Sequence, residues 1–180
     1  LESLAHGDRL GPSFLQLPPS FNANSYDQLK SFLTELPKDI QYAVEARHVS
    51  WYDKGDNEQR LDDLLSELGM DKVIFDSRPL FAAESPDDDE QSAQSRKPQT
   101  PIRKSALNKS PFLRFVGQND VSANEAWIKE WAPIINKWIL EGKRPYIFTH
   151  CPNEANAPYF ARMLHEQIRK LNPTLTEFPE

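Results

Sequence analysis

A chain of 180 residues with 38% apolar and 11% aromatic residues can build a buried core, and its size suits one domain. Its 27 acidic against 21 basic residues give a net charge of −6, which argues against a bulk electrostatic grip on nucleic acid. One cysteine excludes an internal disulfide and a zinc site built on several thiolates, and a mean hydropathy of −0.67 with no long apolar run argues against an integral membrane protein. The start Leu1-Glu2-Ser3-Leu4 carries no basic, apolar leader, so a cytoplasmic location is the default expectation.

In chain order, the first apolar run is Phe14-Leu15-Gln16-Leu17, closed by Pro18-Pro19. The spacing of Leu29, Phe32, Leu33 and Leu36 predicts a helix over Tyr26 to Leu36, with Ser25 and Gln28 as a capping box and Pro37 as its stop. The second run is Tyr42 to Arg47. A loop with His48 and Trp51 follows, then a helix near Glu58 to Leu68 with Gly69 as its C-cap. The third run is Lys72 to Asp76. Residues 81–110 are polar, hold Pro86, Pro98, Pro101 and the acidic run Asp87-Asp88-Asp89-Glu90, and read as a long mobile loop. The fourth run, Phe112 to Gly117, precedes a helix carrying Trp127, Trp131 and Trp138, in which Pro133 marks a kink or a late start. The fifth run, Tyr146 to His150, leads to a last helix from about Asn156.

Strand–helix alternation of this kind means crossover connections and a parallel sheet. The expected fold is α/β. About five βα units are fewer than the roughly 250 residues of a closed eight-unit barrel hold, which leaves an open sheet or a partial barrel. Gln16, Glu45, Asp76, Arg114 and His150 are polar residues in the later half of apolar runs, and ligands of parallel α/β folds bind at the C-terminal strand ends. Buried there, they need partners or a ligand. The plainer alternatives are a structural ion pair between Glu45 and Arg47, a solvent-facing Arg114, and a His150 that only caps a turn. A metal held by Glu45, His48, Asp76 and His150 is a further option. His6 and His165 read as surface residues. Cys151 lies beside His150, but neighbours on a strand face opposite ways, so direct activation is not expected. No phosphate loop, dinucleotide fingerprint or nucleophile elbow occurs.

These runs together resemble the YecE-like family, a bacterial domain family without an assigned reaction. The likeness is carried by Phe14-Leu15-Gln16-Leu17-Pro18-Pro19-Ser20-Phe21, by Glu45-Ala46-Arg47-His48-Val49-Ser50-Trp51, and by Asp76-Ser77-Arg78-Pro79, Arg114-Phe115-Val116-Gly117 and Thr149-His150-Cys151-Pro152. It covers nearly everything from Phe14 onward. The resemblance implies a TIM-type βα barrel, with further βα units ahead of the first run in family members, so that this chain corresponds to the C-terminal two thirds.

The first functional expectation is an enzyme acting on a small anionic or polyhydroxylated molecule. Glu45, Asp76 and His150 are its candidate acid–base groups, and Gln16, Arg47, His48, Trp51 and Arg114 its candidate substrate-binding residues, since guanidinium groups hold phosphate or carboxylate in bidentate fashion. The alternatives are a metal-dependent phosphodiesterase acting on nucleic acid and a non-catalytic binding protein that uses the tryptophan helix. The residues name no cofactor and no oligomeric state.

Overall fold

The structure, a computed structural model, describes residues 10–84 and 86–178. His6 lies outside these residues. Five strands, β1 (Ser13–Gln16), β2 (Tyr42–Glu45), β3 (Asp71–Asp76), β4 (Phe112–Val116) and β5 (Tyr146–His150), form one sheet in sequence order. Each strand runs parallel to the next. Right-handed crossovers between strands added in one direction place the connecting helices on a common face. Those helices are α1 (Tyr26–Glu35), α2 (Asp56–Glu67), the single turn α3 (Arg78–Phe81), α4 (Asp88–Arg96), α5 (Glu125–Leu140) and α6 (Ala157–Leu171).

The sheet is curled. With strands about 4.8 Å apart, β1 and β4 would stand about 14 Å apart in a flat sheet. Instead the Phe14 and Phe112 rings stack at 5.6 Å, and Arg114 on β4 donates to Gln16 on β1 at 3.1 Å. Curling divides the side chains by alternation. Val44, Ala46, Ile74, Leu113 and Phe115 pack outward into the helix layer, against Leu33, Leu61 and Leu65 at one end and Ile128, Trp131 and Phe160 at the other. Each fully buried Val, Leu, Ile or Phe side chain among them contributes roughly 1.5–3 kcal/mol. On the concave face Phe112 lies between Phe14 and Phe148, the latter at 4.9 Å, in an aromatic floor that also holds Tyr146.

The helices predicted from the sequence depart from their signals in three places. Ser25 is the N-cap of α1 but makes no side-chain cap bond. A one-turn 3₁₀ segment, Ala23–Ser25, precedes it, and there Asn22 caps Asn24 N–H at 3.0 Å. Phe32 leaves the apolar stripe and is 51% exposed. Pro133 sits inside α5, which already begins at Glu125, so the helix does not start late. Gly69 ends α2 as expected, with φ +69°, its N–H on Ser66 and the Met70 N–H on Leu65, a pairing that suits a residue without a Cβ.

The 81–110 segment contains α4. Its acidic run is a helix start: Asp87 accepts from Glu90 N–H while the Glu90 side chain accepts from Asp87 N–H, and carboxylates in the first turn complement the helix dipole. Glu90 also accepts from Asn119 N–H at 2.6 Å, Ser77 Oγ donates to the Pro98 carbonyl at 2.9 Å, and Arg103 is paired with Glu58 at 2.5 Å. These bonds tie the segment to the rest of the molecule at Glu90, Pro98 and Arg103.

Candidate active site

A cleft of about 480 Å³ opens at the C-terminal strand ends, above the aromatic floor. Gln16, Glu45, Arg47, Arg114 and His150 all line it, brought from β1, β2, β4 and β5 and from the residues just past β2. Glu45 is fully buried at the end of β2. Its Oε2 accepts from Arg114 Nη1 at 2.6 Å, and its Oε1 faces Arg47 Nε at 3.7 Å, beyond hydrogen-bond range. Both Oε1 of Glu45 and Nε of Arg47 are buried without a hydrogen-bond partner among the described residues. The Arg114 guanidinium lies 5.0 Å from the Phe14 ring centroid and 5.2 Å from that of Phe75, within the range of cation–π attraction. Arg47 Nη2 donates to the Arg96 carbonyl at 3.3 Å.

Three sequence candidates lie elsewhere. Asp76 faces the helix layer, the opposite way from its neighbour Phe75, which does line the cleft. It is fully buried, accepts from Arg78 N, Nε and Nη2 at 3.1, 2.9 and 2.7 Å, and accepts from Trp131 Nε1 at 2.8 Å. Those four bonds use its acceptor capacity, so Asp76 is occupied in joining β3, α3 and α5. His48 caps the 3₁₀ turn Val49–Tyr52, with Nδ1 accepting from Ser50 N–H at 3.1 Å. Trp51 is fully buried, donates to the Phe21 carbonyl at 2.8 Å and stacks on the Phe21 ring. Ser50 Oγ in turn accepts from Ala23 N–H at 2.9 Å. The His-Val-Ser-Trp stretch thus fastens the loop after β1 to the loop after β2. The metal set Glu45, His48, Asp76 and His150 is not assembled, and among the described residues no three His, Cys, Asp or Glu side chains group to hold a metal ion. Trp131 and Trp138 of the aromatic helix are buried in the core, so they offer no partner surface.

The cleft also holds residues that the strand pattern does not reveal. Asp89, Arg96 and Lys97 form its far wall, and Ala93 of α4 packs on Phe75 and Val116. The one local signal for this wall was the basic pair Arg96-Lys97 ahead of Pro98. Arg47, Arg96, Lys97 and Arg114 outnumber the carboxylates Glu45, Asp89 and Glu154 among the lining residues. Lys97 is half-buried. Burial first, then the positive charges of Arg114, Arg47 and Arg96, hold its amine below the usual lysine range. Burial first, then Arg114 and Lys97, hold His150 below the ordinary imidazole value of 6.5, so it is neutral near pH 7. Such a ring offers one N–H donor and one acceptor nitrogen. Cys151 also borders the cleft, but its thiol donates to the Asn153 carbonyl and burial pushes it up to about 11, which leaves little thiolate for nucleophilic attack. No described helix is long and apolar enough to cross a membrane.

Comparison with known proteins places these features in a family. The family model described as "Protein of unknown function DUF72" matches residues 1–180. UPF0759 protein YecE of Escherichia coli K12 is 34% identical over 171 residues, covering 95% of this chain, and its counterpart in Escherichia coli O157:H7 is equally similar. The chain spans 62% of the length of these curated relatives. Among solved structures, a crystal structure of a DUF72 family protein from Enterococcus faecalis V583 superposes with a TM-score of 0.66 at 19% identity, over 98% of this chain and 67% of that one. A second crystal structure of that protein gives 0.62 at 17% identity, over all of this chain and 66% of that one. The YecE-like resemblance carried by the strand-end motifs is therefore borne out, and the solved neighbours share the fold.

Proposed function

The chain belongs to the DUF72 family, and we propose that its cleft is the active site of an enzyme acting on a small anionic or polyhydroxylated molecule. The single observation that carries this reading is the buried carboxylate of Glu45 set between Arg47 and Arg114 in a cleft that also holds Arg96 and Lys97. Guanidinium groups on two neighbouring sides suit a phosphate or carboxylate held by several charge-assisted hydrogen bonds. Glu45, next to that anion site, is the general base. His150, neutral at pH 7, is the hydrogen-bond donor to the reacting oxygen and relays its proton. Asp76 has no part in this scheme.

The same reading takes the curled sheet as part of a TIM-type barrel. Sequential parallel strands, helices outside and a polar rim at the C-terminal ends support it, and further βα units would close the ring. The nucleic-acid phosphodiesterase alternative draws no support from the described residues, which supply no three-ligand metal cluster.

The test begins with a thermal-shift screen of phosphorylated and carboxylated metabolites, followed by turnover assays on those that stabilise the protein. Glu45→Gln is expected to abolish turnover while leaving the folded state and anion binding in place. Unchanged turnover in Glu45→Gln would remove Glu45 from the reaction. A screen in which uncharged polyols stabilise the protein and anions do not would remove the arginines.

A further inference from the structure

Lys97 is the cleft residue with the least explained surroundings. It follows the last residue of α4, its backbone N–H bonds the Ala93 carbonyl at 3.0 Å, and the next carbonyl, that of Pro98, is held by Ser77 Oγ at 2.9 Å. The backbone is therefore anchored on both sides of the residue, and the side chain is half-buried in the cleft wall. Yet the amine makes no ion pair or hydrogen bond among the described residues, whereas Lys72 and Lys104 each take a carboxylate partner. The charges that act on it are three guanidinium groups and one carboxylate, Glu45, which is already bonded to Arg114.

An ammonium placed among guanidinium groups, short of carboxylate and partly out of water, is a poor structural device. It neither closes an ion pair nor reaches solvent freely. Such surroundings favour loss of the proton, and lysines are made nucleophilic in this way by desolvation and neighbouring cations. The depressed Lys97 amine agrees with that geometry.

We propose that Lys97 is an imine-forming nucleophile that condenses with the aldehyde or ketone carbonyl of a small carboxylated or phosphorylated substrate. The proposal rests on the reading of the cleft as an anion site, since Arg47 and Arg114 hold the substrate's charged group and so bring its carbonyl to the amine. The amine lone pair attacks the carbonyl carbon, and the π pair moves to oxygen, which takes a proton relayed through His150. Nitrogen gives up a proton to Glu45, which passes it to the hydroxyl; water leaves as the C=N bond forms, and the remaining N–H proton returns through His150 to replace the one lent to oxygen. Amine plus carbonyl compound become imine plus one water, with no oxidant or reductant. Protonated, the imine withdraws electrons from the adjacent carbon, which is the chemistry of aldol cleavage, decarboxylation or tautomerisation.

The experiment incubates the 180-residue chain with pyruvate, with dihydroxyacetone phosphate, or with acetone as the uncharged control, in the presence of sodium cyanoborohydride, and locates any adduct by intact mass and peptide mapping. The expected result is one reduced adduct per chain, on Lys97, from a charged probe and not from acetone. Inorganic phosphate should suppress it. Lys97→Arg should abolish the adduct while the stabilisation by inorganic phosphate persists, because the variant keeps the positive charge. No adduct from either charged probe, adducts spread over surface lysines, or an unchanged adduct in Lys97→Arg overturns the role of Lys97 and leaves the anion reading standing. An adduct on Lys97 that phosphate neither suppresses nor competes with instead overturns the anion reading, since the carbonyl is then captured without it.

Discussion

Glu45 and Asp76 form an instructive pair. Both are carboxylates near the C-terminal ends of neighbouring strands, both are fully buried, and both are bonded to an arginine. Asp76 accepts four hydrogen bonds, from the arginine two residues on and from an indole of the helix layer. Glu45 accepts one from a side chain and keeps an oxygen without a partner. The saturated group holds elements together, and the incompletely saturated one lines the cleft. Burial alone does not separate the two. The count of satisfied acceptors and the face of the strand do.

The contrast breaks first at Asp76. Asp76→Ala leaves the buried Trp131 N–H without its acceptor and Arg78 with Glu130 alone, and the expected loss of stability is about 2–4 kcal/mol, read from urea unfolding. A loss below that of Glu45→Gln would show the two carboxylates to be alike. Glu45→Gln should cost about 1–2 kcal/mol by the same measurement, because Arg47 and Arg114 border an open cleft and water can solvate them once the negative charge is gone. Trp131→Phe keeps most of the buried ring and removes one donor to Asp76, for an expected loss of about 1 kcal/mol. Combined with Asp76→Ala it should show strong non-additivity in a double-mutant cycle.

The smallest effect concerns protons. In the folded protein His150 sits below its ordinary value of 6.5, so between the two values the unfolded chain binds more protons than the native one. Its contribution to stability is therefore complete above that ordinary value and is lost as pH falls through the window beneath it. Inorganic phosphate in the cleft adds negative charge and should move the imidazole back up, with proton uptake on binding at mildly acidic pH. An NMR titration of the imidazole with and without phosphate reads this directly, and an unmoved His150 would separate it from the anion site.

The strands were readable because parallel strands covered on both faces are short, nearly continuous apolar runs. The rim was readable because Gln16, Glu45, Arg114 and His150 interrupt those runs near their ends. Asp76 shows where that reasoning stops. With both faces buried, one strand's own sequence does not tell which parity points to the cleft; that is set by the register to its neighbours, such as Phe75 opposite Arg114. His48 and Trp51 belong to the same motif as Glu45 and Arg47, and a motif does not say which of its members meet a ligand and which hold a loop. Helix α4 escaped notice because only Glu90 and Ala93 of its residues are buried, so it has no apolar stripe to detect. Its capping box, Asp87 with Glu90, was present in the sequence but was hidden inside an acidic run that reads as solvated coil. The wall carrying Arg96 and Lys97 hangs on that helix and is as little visible in the sequence.

The ring faces on either side of Arg114 have one more consequence. A guanidinium lodged near the Phe14 and Phe75 rings, and fastened to two oxygens besides, has given up its swivelling during folding. Recognition at that position then needs no further freezing of a long, supple side chain, a cost of roughly 0.5–1.5 kcal/mol for each such chain at a softer surface. A ligand bound there as proposed would meet this arm already set.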